Sequence, residues 1–163
     1  MWTVMTSPIG DLRLVARTVG EQPALTAVEF APFPAADGRP RGERADDDPL
    51  LRRCVEQLEA YFARELTVFD LPLAPAGSAF QQQVWGALQG IGYGETASYG
   101  EVAQRIGRTA AASRAVGLAN GSNPIPVIIP CHRVIGANGS LTGYAGGLER
   151  KQVLLDLERP ALF

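Results

Sequence analysis

The chemistry in this sequence is concentrated in one short run, Pro130-Cys131-His132-Arg133-Val134, which places the only histidine of the chain directly beside one of its two cysteines. A free thiol has a pKa near about 8.5, so a cysteine that attacks near neutral pH needs a base or a positive potential at hand. His132 is the only imidazole that could serve. Adjacent side chains on an extended segment point to opposite faces. Direct contact between the two would therefore need a sharp bend, and a water bridging them is the expected arrangement. A small buried cysteine beside a satisfied core histidine is the competing reading of the dipeptide taken alone.

A carboxylate near the end of the chain shifts that balance. Residues 147–158, GLERKQVLLDLE, read as a helix with an apolar stripe through Leu148, Leu154 and Leu155, and Glu158 lies on the same face. Burying a lone carboxylate is costly, so an inward Glu158 needs a partner, and the sole histidine is the natural one. Glu158 would orient His132 and raise its basicity, and His132 would take the thiol proton through water. A surface position for Glu158 is the alternative.

Composition sets the limits. At 163 residues, 46% hydrophobic and 20% charged, the chain is an ordinary folded protein of one domain or two small ones. No apolar run approaches the roughly 20 residues of a membrane span, and the start lacks a secretion signal, so a cytoplasmic protein with Cys54 and Cys131 reduced is expected. One histidine and two distant cysteines do not make a four-ligand zinc site, so neither metal nor cofactor is expected. Net charge is −2, but residues 1–77 carry 8 basic and 12 acidic groups and residues 78–163 carry 7 and 5. The second half is thus the better candidate to face phosphates, although the excess is small. Lys151 is the only lysine, and no function is read from it.

The elements that must position these groups fall into two parts. WTVMTSP, DLRLVART and ALTAVEFA read as a hairpin turning at Pro8–Asp11 and a third strand. Residues 31–48 read as a long mobile surface loop, ending in Asp46-Asp47-Asp48-Pro49, which suits a helix start. A helix follows, with Leu51, Val55, Leu58, Tyr61 and Phe62 as its stripe and Cys54 half-buried beside it. LTVFDLPLAPAGS gives a short strand and a linker, with a domain boundary at 76/77. After it come helices: one capped by Ser78, one capped by Ser98 with Glu101 three residues on and Gly107 as its stop, and one over TAAASRAVGLANGSN. That is a helix-turn-helix pattern. The last helix shows Ala and Gly without bulk, apart from Arg114, which could probe between bases or simply snorkel at a packed surface.

NPIPVIIPCHRVIGANGSLTGYAGGLERKQVLL resembles, nearly position by position, the active-site region of the O6-alkylguanine-DNA alkyltransferases. The resemblance covers residues 78–159 and extends more weakly over SPIGDLRL in the first half. It implies a ribonuclease-H-like α/β domain, residues 1–76, followed by a helical domain with a winged helix-turn-helix, residues 77–163. It also implies irreversible alkyl transfer from O6-alkylguanine, and from O4-alkylthymine, to Cys131 in a single turnover, with His132 and Glu158 activating the thiol and Asn123 as a hinge. Arg114 would fill the space of the flipped nucleotide. Tyr99 would rotate the base and give it a proton. The carbonyls of Cys131 and Val134 and the backbone N–H near Ala145 would read the guanine edge, and Pro126 and Tyr144 would wall the pocket. The implied partner is double-stranded DNA carrying alkylated guanine, bound through its minor groove by a monomer, with cooperativity on DNA left open.

Ser122 and Ala145 depart from residues that some members carry there. The zinc ligands and the methylphosphotriester-sensing domain of some members have no counterpart, so no transcriptional role is expected. A damage-binding relative that does not repair DNA is the main alternative, although in those proteins the acceptor cysteine is replaced. A helix-turn-helix regulator would leave Cys131 and Glu158 unexplained, and a Cys–His hydrolase would need an oxyanion site.

Overall fold

The computed structural model describes residues 1–34 and 38–160. Contacts divide the chain into two compact units, Met1–Ala76 and Gly77–Phe163. The first is α/β and the second mostly helical with a winged helix-turn-helix, as the sequence implies.

In the first unit, strands β1 (Trp2–Met5), β2 (Leu12–Val19) and β3 (Gln22–Phe30) form an antiparallel meander with β2 central and a bulge at Val15/Ala16. Helix α1 (Pro49–Phe62) starts at Asp48, whose carboxylate accepts from the Leu51 N–H, with Pro49 in the first turn. Its Leu51, Leu58 and Tyr61 are fully buried. So is Cys54, which lies in the stripe rather than half-buried beside it.

Two further expectations change. The loop over residues 31–48 is tied down through its second half: residues 43 and 45 pair with Trp2 on the edge of β1, and Thr3 donates to Asp46. Edge groups left unpaired by the short sheet draw the loop on. Arg41 and Arg13 both donate to buried Glu29 on β3. Burial alone would raise the Glu29 pKa, but these two arginines outweigh it and hold the carboxyl below its ordinary value. Residues 35–37 of the loop lie outside the described residues. The strand expected in LTVFDLPL is absent. Only a bridge between Leu25 and Leu73 forms there, because Pro72 and Pro75 remove the donors a ladder needs.

The second unit opens with α2 (Ala79–Leu88), followed by β4 (Ala97–Ser98) and α3 (Tyr99–Arg105). Both helices begin with complete capping boxes, Ser78 with Gln81 and Ser98 with Glu101. Gly107, at φ +78°, turns the chain after α3. The expected single helix that follows divides into a 3₁₀ turn over Ala110–Ala112 and α4 (Ser113–Gly121). Trp85 ties α2 to α4 by donating to the Ala119 carbonyl at 2.8 Å. Strand β5 (Val134–Ile135) pairs parallel with β4, and α5 (Leu148–Glu158) closes the unit.

Candidate active site

The segment before Cys131 is held by one side chain. Buried Asn123 donates to the Ile129 carbonyl at 2.8 Å and accepts from the Ile125 N–H at 3.0 Å. Between these anchors Val127 has φ +73°, a strained value for a β-branched residue. Cys131–Arg133 then form a single 3₁₀ turn, closed by the Val134 N–H donating to the Cys131 carbonyl. The segment is therefore not extended. Successive side chains on such a turn still diverge by roughly 120°, so Cys131 and His132 point apart for a different reason than expected.

Glu158 collects the polar groups of this turn. Its Oε2 accepts from His132 Nε2 at 2.7 Å and from Arg133 Nη2 at 3.0 Å, and its Oε1 accepts from Arg133 Nε at 2.8 Å. The Gly94 N–H adds a bond to Oε1 at 3.3 Å. Glu158 is thus buried and its charge is matched by Arg133, whose Nη1 also donates to the Ile91 carbonyl at 2.6 Å. Because a carboxylate only accepts, His132 carries its proton on Nε2. Its Nδ1 is buried with no protein partner among the described residues.

Burial governs the protonation states. It pushes the Cys131 thiol up to about 11, against the Asn123 amide and the Lys151 charge, which pull it down. It also pushes His132 below its ordinary value, against the hydrogen bond to Glu158. At rest the site holds a neutral thiol and a neutral imidazole. That imidazole presents one free acceptor, Nδ1, and has a carboxylate behind it.

The other anticipated residues are spread over the unit. Tyr99, at the start of α3, shares a hydroxyl–hydroxyl hydrogen bond with Thr142. Pro126 and Val134 are buried, Tyr144 is half-buried and Ala145 is exposed. Arg114 is exposed on α4 with no ion-pair partner among the described residues. The face around it is not free of bulk, since Leu118 stands out at 72% exposure one turn along. Ser122 accepts from Gln81. A cavity of about 290 Å³ between Gly94, Ile135, Leu141, Leu155 and Glu158 borders the network on the carboxylate side, and Cys131 does not line it.

A family model described as "6-O-methylguanine DNA methyltransferase, DNA binding domain" matches residues 79–160, and the ribonuclease-like domain of the same proteins matches residues 1–75. The chain belongs to the 6-O-methylguanine DNA methyltransferase family. A methylated-DNA–protein-cysteine methyltransferase of Mycolicibacterium paratuberculosis is 54% identical over 161 residues, covering 97% of this chain and 92% of the relative. One of Methanosarcina acetivorans is 50% identical over 161 residues, covering 96% and 97%. The crystal structure of the Mycobacterium tuberculosis O6-methylguanine methyltransferase superposes with a TM-score of 0.84 at 48% identity, covering 99% of this chain and 95% of that one. A structure of the Mycobacterium tuberculosis protein in complex with DNA gives 0.82 at 50% identity, covering 96% and 92%.

Three groups in this family member's site escape a reading of the sequence. Arg133 is the main partner of Glu158, although it directly follows the Cys-His pair. Asn120 on α4 donates to the Cys131 carbonyl at 3.3 Å. Lys151 is fully buried, donating to the carbonyls of Val134 at 2.6 Å and Thr142 at 3.0 Å. Helix α5 therefore turns Lys151, Leu154 and Glu158 inward, while Leu148, expected on the stripe, is 49% exposed in the first turn. The spacing of three and four among those three residues was visible, but a lysine is not ordinarily placed on a buried face.

Proposed function

We propose that this protein repairs DNA by moving the alkyl group of O6-alkylguanine, and of O4-alkylthymine, to Sγ of Cys131. Helix α4 enters the minor groove, Arg114 fills the space of the extruded nucleotide and Tyr99 assists its rotation. Flipping costs a few kcal/mol and less for a mispaired base, which favours damage. The carbonyls of Cys131 and Val134 and the N–H of Ala145 read the guanine edge, Pro126 and Tyr144 wall the pocket, and Asn123 holds the helix-turn-helix to the loop bearing the thiol.

The thiol proton passes through water to Nδ1 of His132, while Glu158 holds Nε2–H and balances the imidazolium. Sγ attacks the alkyl carbon, the carbon–oxygen bond breaks with its electron pair going to the base, and Tyr99 protonates the departing guanine. The imidazolium then returns its proton through water to the Tyr99 phenolate, so the net proton moves from thiol to base. A thioether has no leaving group to restore the thiol, so each molecule acts once. No cofactor is required, and the protein works as a cytoplasmic monomer on its DNA.

The reading rests above all on the buried His132–Glu158 bond with Nδ1 left open on the same turn as Cys131. Its test is intact-mass analysis after incubation with duplex DNA containing one O6-methylguanine, followed by peptide mapping. One methyl group on Cys131, saturating at one per chain, is expected. Tight binding without a mass change would instead place the protein with damage-binding relatives that do not repair.

A further inference from the structure

Asn120 on α4 is a buried amide with only one end satisfied. It is 3% exposed, its Nδ2 donates to the Cys131 carbonyl at 3.3 Å, and its Oδ1 has no hydrogen-bond partner among the described residues. That orientation is fixed by chemistry, because a carbonyl only accepts and the amide nitrogen must therefore face it. Turning the amide would set two oxygens against each other. An enclosed acceptor without a donor is destabilising and uncommon in folded proteins, so Oδ1 points to a donor that arrives with a ligand. The two amide heteroatoms share one carbon, through bonds of about 1.2 and 1.3 Å, which keeps Oδ1 within about 6 Å of the Cys131 carbonyl oxygen.

The acceptors beside it are already engaged. The Cys131 carbonyl takes the Val134 N–H as well as Asn120 Nδ2, one for each lone pair, and the Val134 carbonyl takes Lys151 Nζ at 2.6 Å. Apart from His132 Nδ1, which receives the thiol proton, a donor reaching this turn meets one wholly free buried acceptor among the described residues, Asn120 Oδ1. An alkyl group on O6 removes the hydrogen from N1 of guanine, so the exocyclic 2-amine is the only donor left on the base edge. We infer that Asn120 Oδ1 accepts from the 2-amine of the flipped base, beside the Cys131 and Val134 carbonyls, which makes Asn120 a base-selecting residue. The helix that carries Arg114 then also reads the base itself. This inference rests on alkylguanine being the substrate, as proposed above.

The test removes the amine from the substrate and the amide from the protein. Single-turnover transfer is followed by intact mass from a duplex carrying O6-methylguanine and from the same duplex carrying O6-methylhypoxanthine, which lacks only the 2-amine. Wild type, Asn120→Leu and Asn120→Ala are compared. The preference for the guanine should fall about fivefold in both variants, as for the loss of one hydrogen bond. Differences in flipping between the two bases cancel when a variant's preference is divided by that of the wild type. An unchanged preference, with both duplexes slowed alike, would overturn the assignment and leave Asn120 as a brace for the Cys131 carbonyl.

A second measurement keeps Asn120 in place. In Cys131→Ser, which lacks the acceptor thiol, carbon-13 NMR follows the side-chain carbonyl of Asn120, one of only three asparagines with Asn123 and Asn138, on adding each duplex. Its resonance should lie further downfield in the O6-methylguanine complex than in the O6-methylhypoxanthine complex, and coincident resonances would also overturn the proposal. Absence of methyl transfer by the wild type, with the resonances separated as expected, would refute the transfer reading and leave the base contact standing. Methyl transfer with coincident resonances and an unchanged preference would do the reverse.

Discussion

Burial acts on Cys131 and His132 in opposite directions and with one result, since it raises the thiol and lowers the imidazole so that both are neutral. Reactivity then depends on what Glu158 and its partners do when the proton moves. Glu158→Ala should slow transfer from duplex DNA and from a free alkylated base alike, by about 10²-fold or more, as expected for loss of support to a general base. Single-turnover rates on both substrates measure this, and an unchanged rate would remove Glu158 from the chemistry. The same change strips buried Arg133 of its anion and should cost about 3–5 kcal/mol in urea denaturation. Asn123→Ala leaves the Ile129 carbonyl and the Ile125 N–H buried without partners and should cost about 1–3 kcal/mol, seen as a lower urea midpoint with unchanged slope.

At the scale of elements, α4 and α5 divide the work. Helix α4 presents Arg114 outward and Asn120 inward to the Cys131 carbonyl, so the exposed cation proposed to meet DNA and the amide that holds the Cys131 turn share one short rod. Arg114→Ala should impair repair of duplex DNA far more than transfer from a free base, because only the duplex requires flipping. Equal loss on both substrates, measured by intact mass over time, would sink the finger role. Helix α3 owes its start to the Ser98–Glu101 capping box, and Ser98→Ala should lower stability by about 1 kcal/mol. The caps and the inward turn of Glu158 are legible in sequence because both follow from spacing along one helix. The exposure of Leu118 and of Leu148 is not, since it depends on which neighbours happen to cover each face.

At the scale of the molecule, stability should carry the mark of the single histidine. His132 has its folded pKa below the ordinary 6.5, so the stability it contributes is fully present above pH 6.5 and is lost as pH falls below that value. No other side chain has an ordinary pKa in this window, because His132 is the only histidine and carboxylates titrate lower. Urea denaturation between pH 7 and 5 should therefore show a fall in stability that His132→Gln abolishes. On the alkaline side, Cys131 and Cys54 are raised from 9.0 to about 11 and about 12. Stability should decline as pH rises above 9, and less steeply once Cys131 is alkylated.

The sequence by itself determined the adjacency of Cys131 and His132, the helix face on which Glu158 lies, the helix caps and the run of small residues around Arg114, because each depends on residues within one or two turns of one another. It did not determine the partners of buried charge. Arg133 and Lys151 look like any surface cations until the fold encloses them, since long cationic side chains can usually reach water and their burial leaves no periodic trace. The loop over residues 31–48 likewise reads as mobile until β1 offers it an edge and Glu29 offers it a charge. Hydrophobic spacing and capping are local, whereas desolvation and pairing belong to groups that meet only after the chain has folded. For that reason the tertiary structure alone shows one face of α5 carrying both a carboxylate and an ammonium to the turn that holds Cys131.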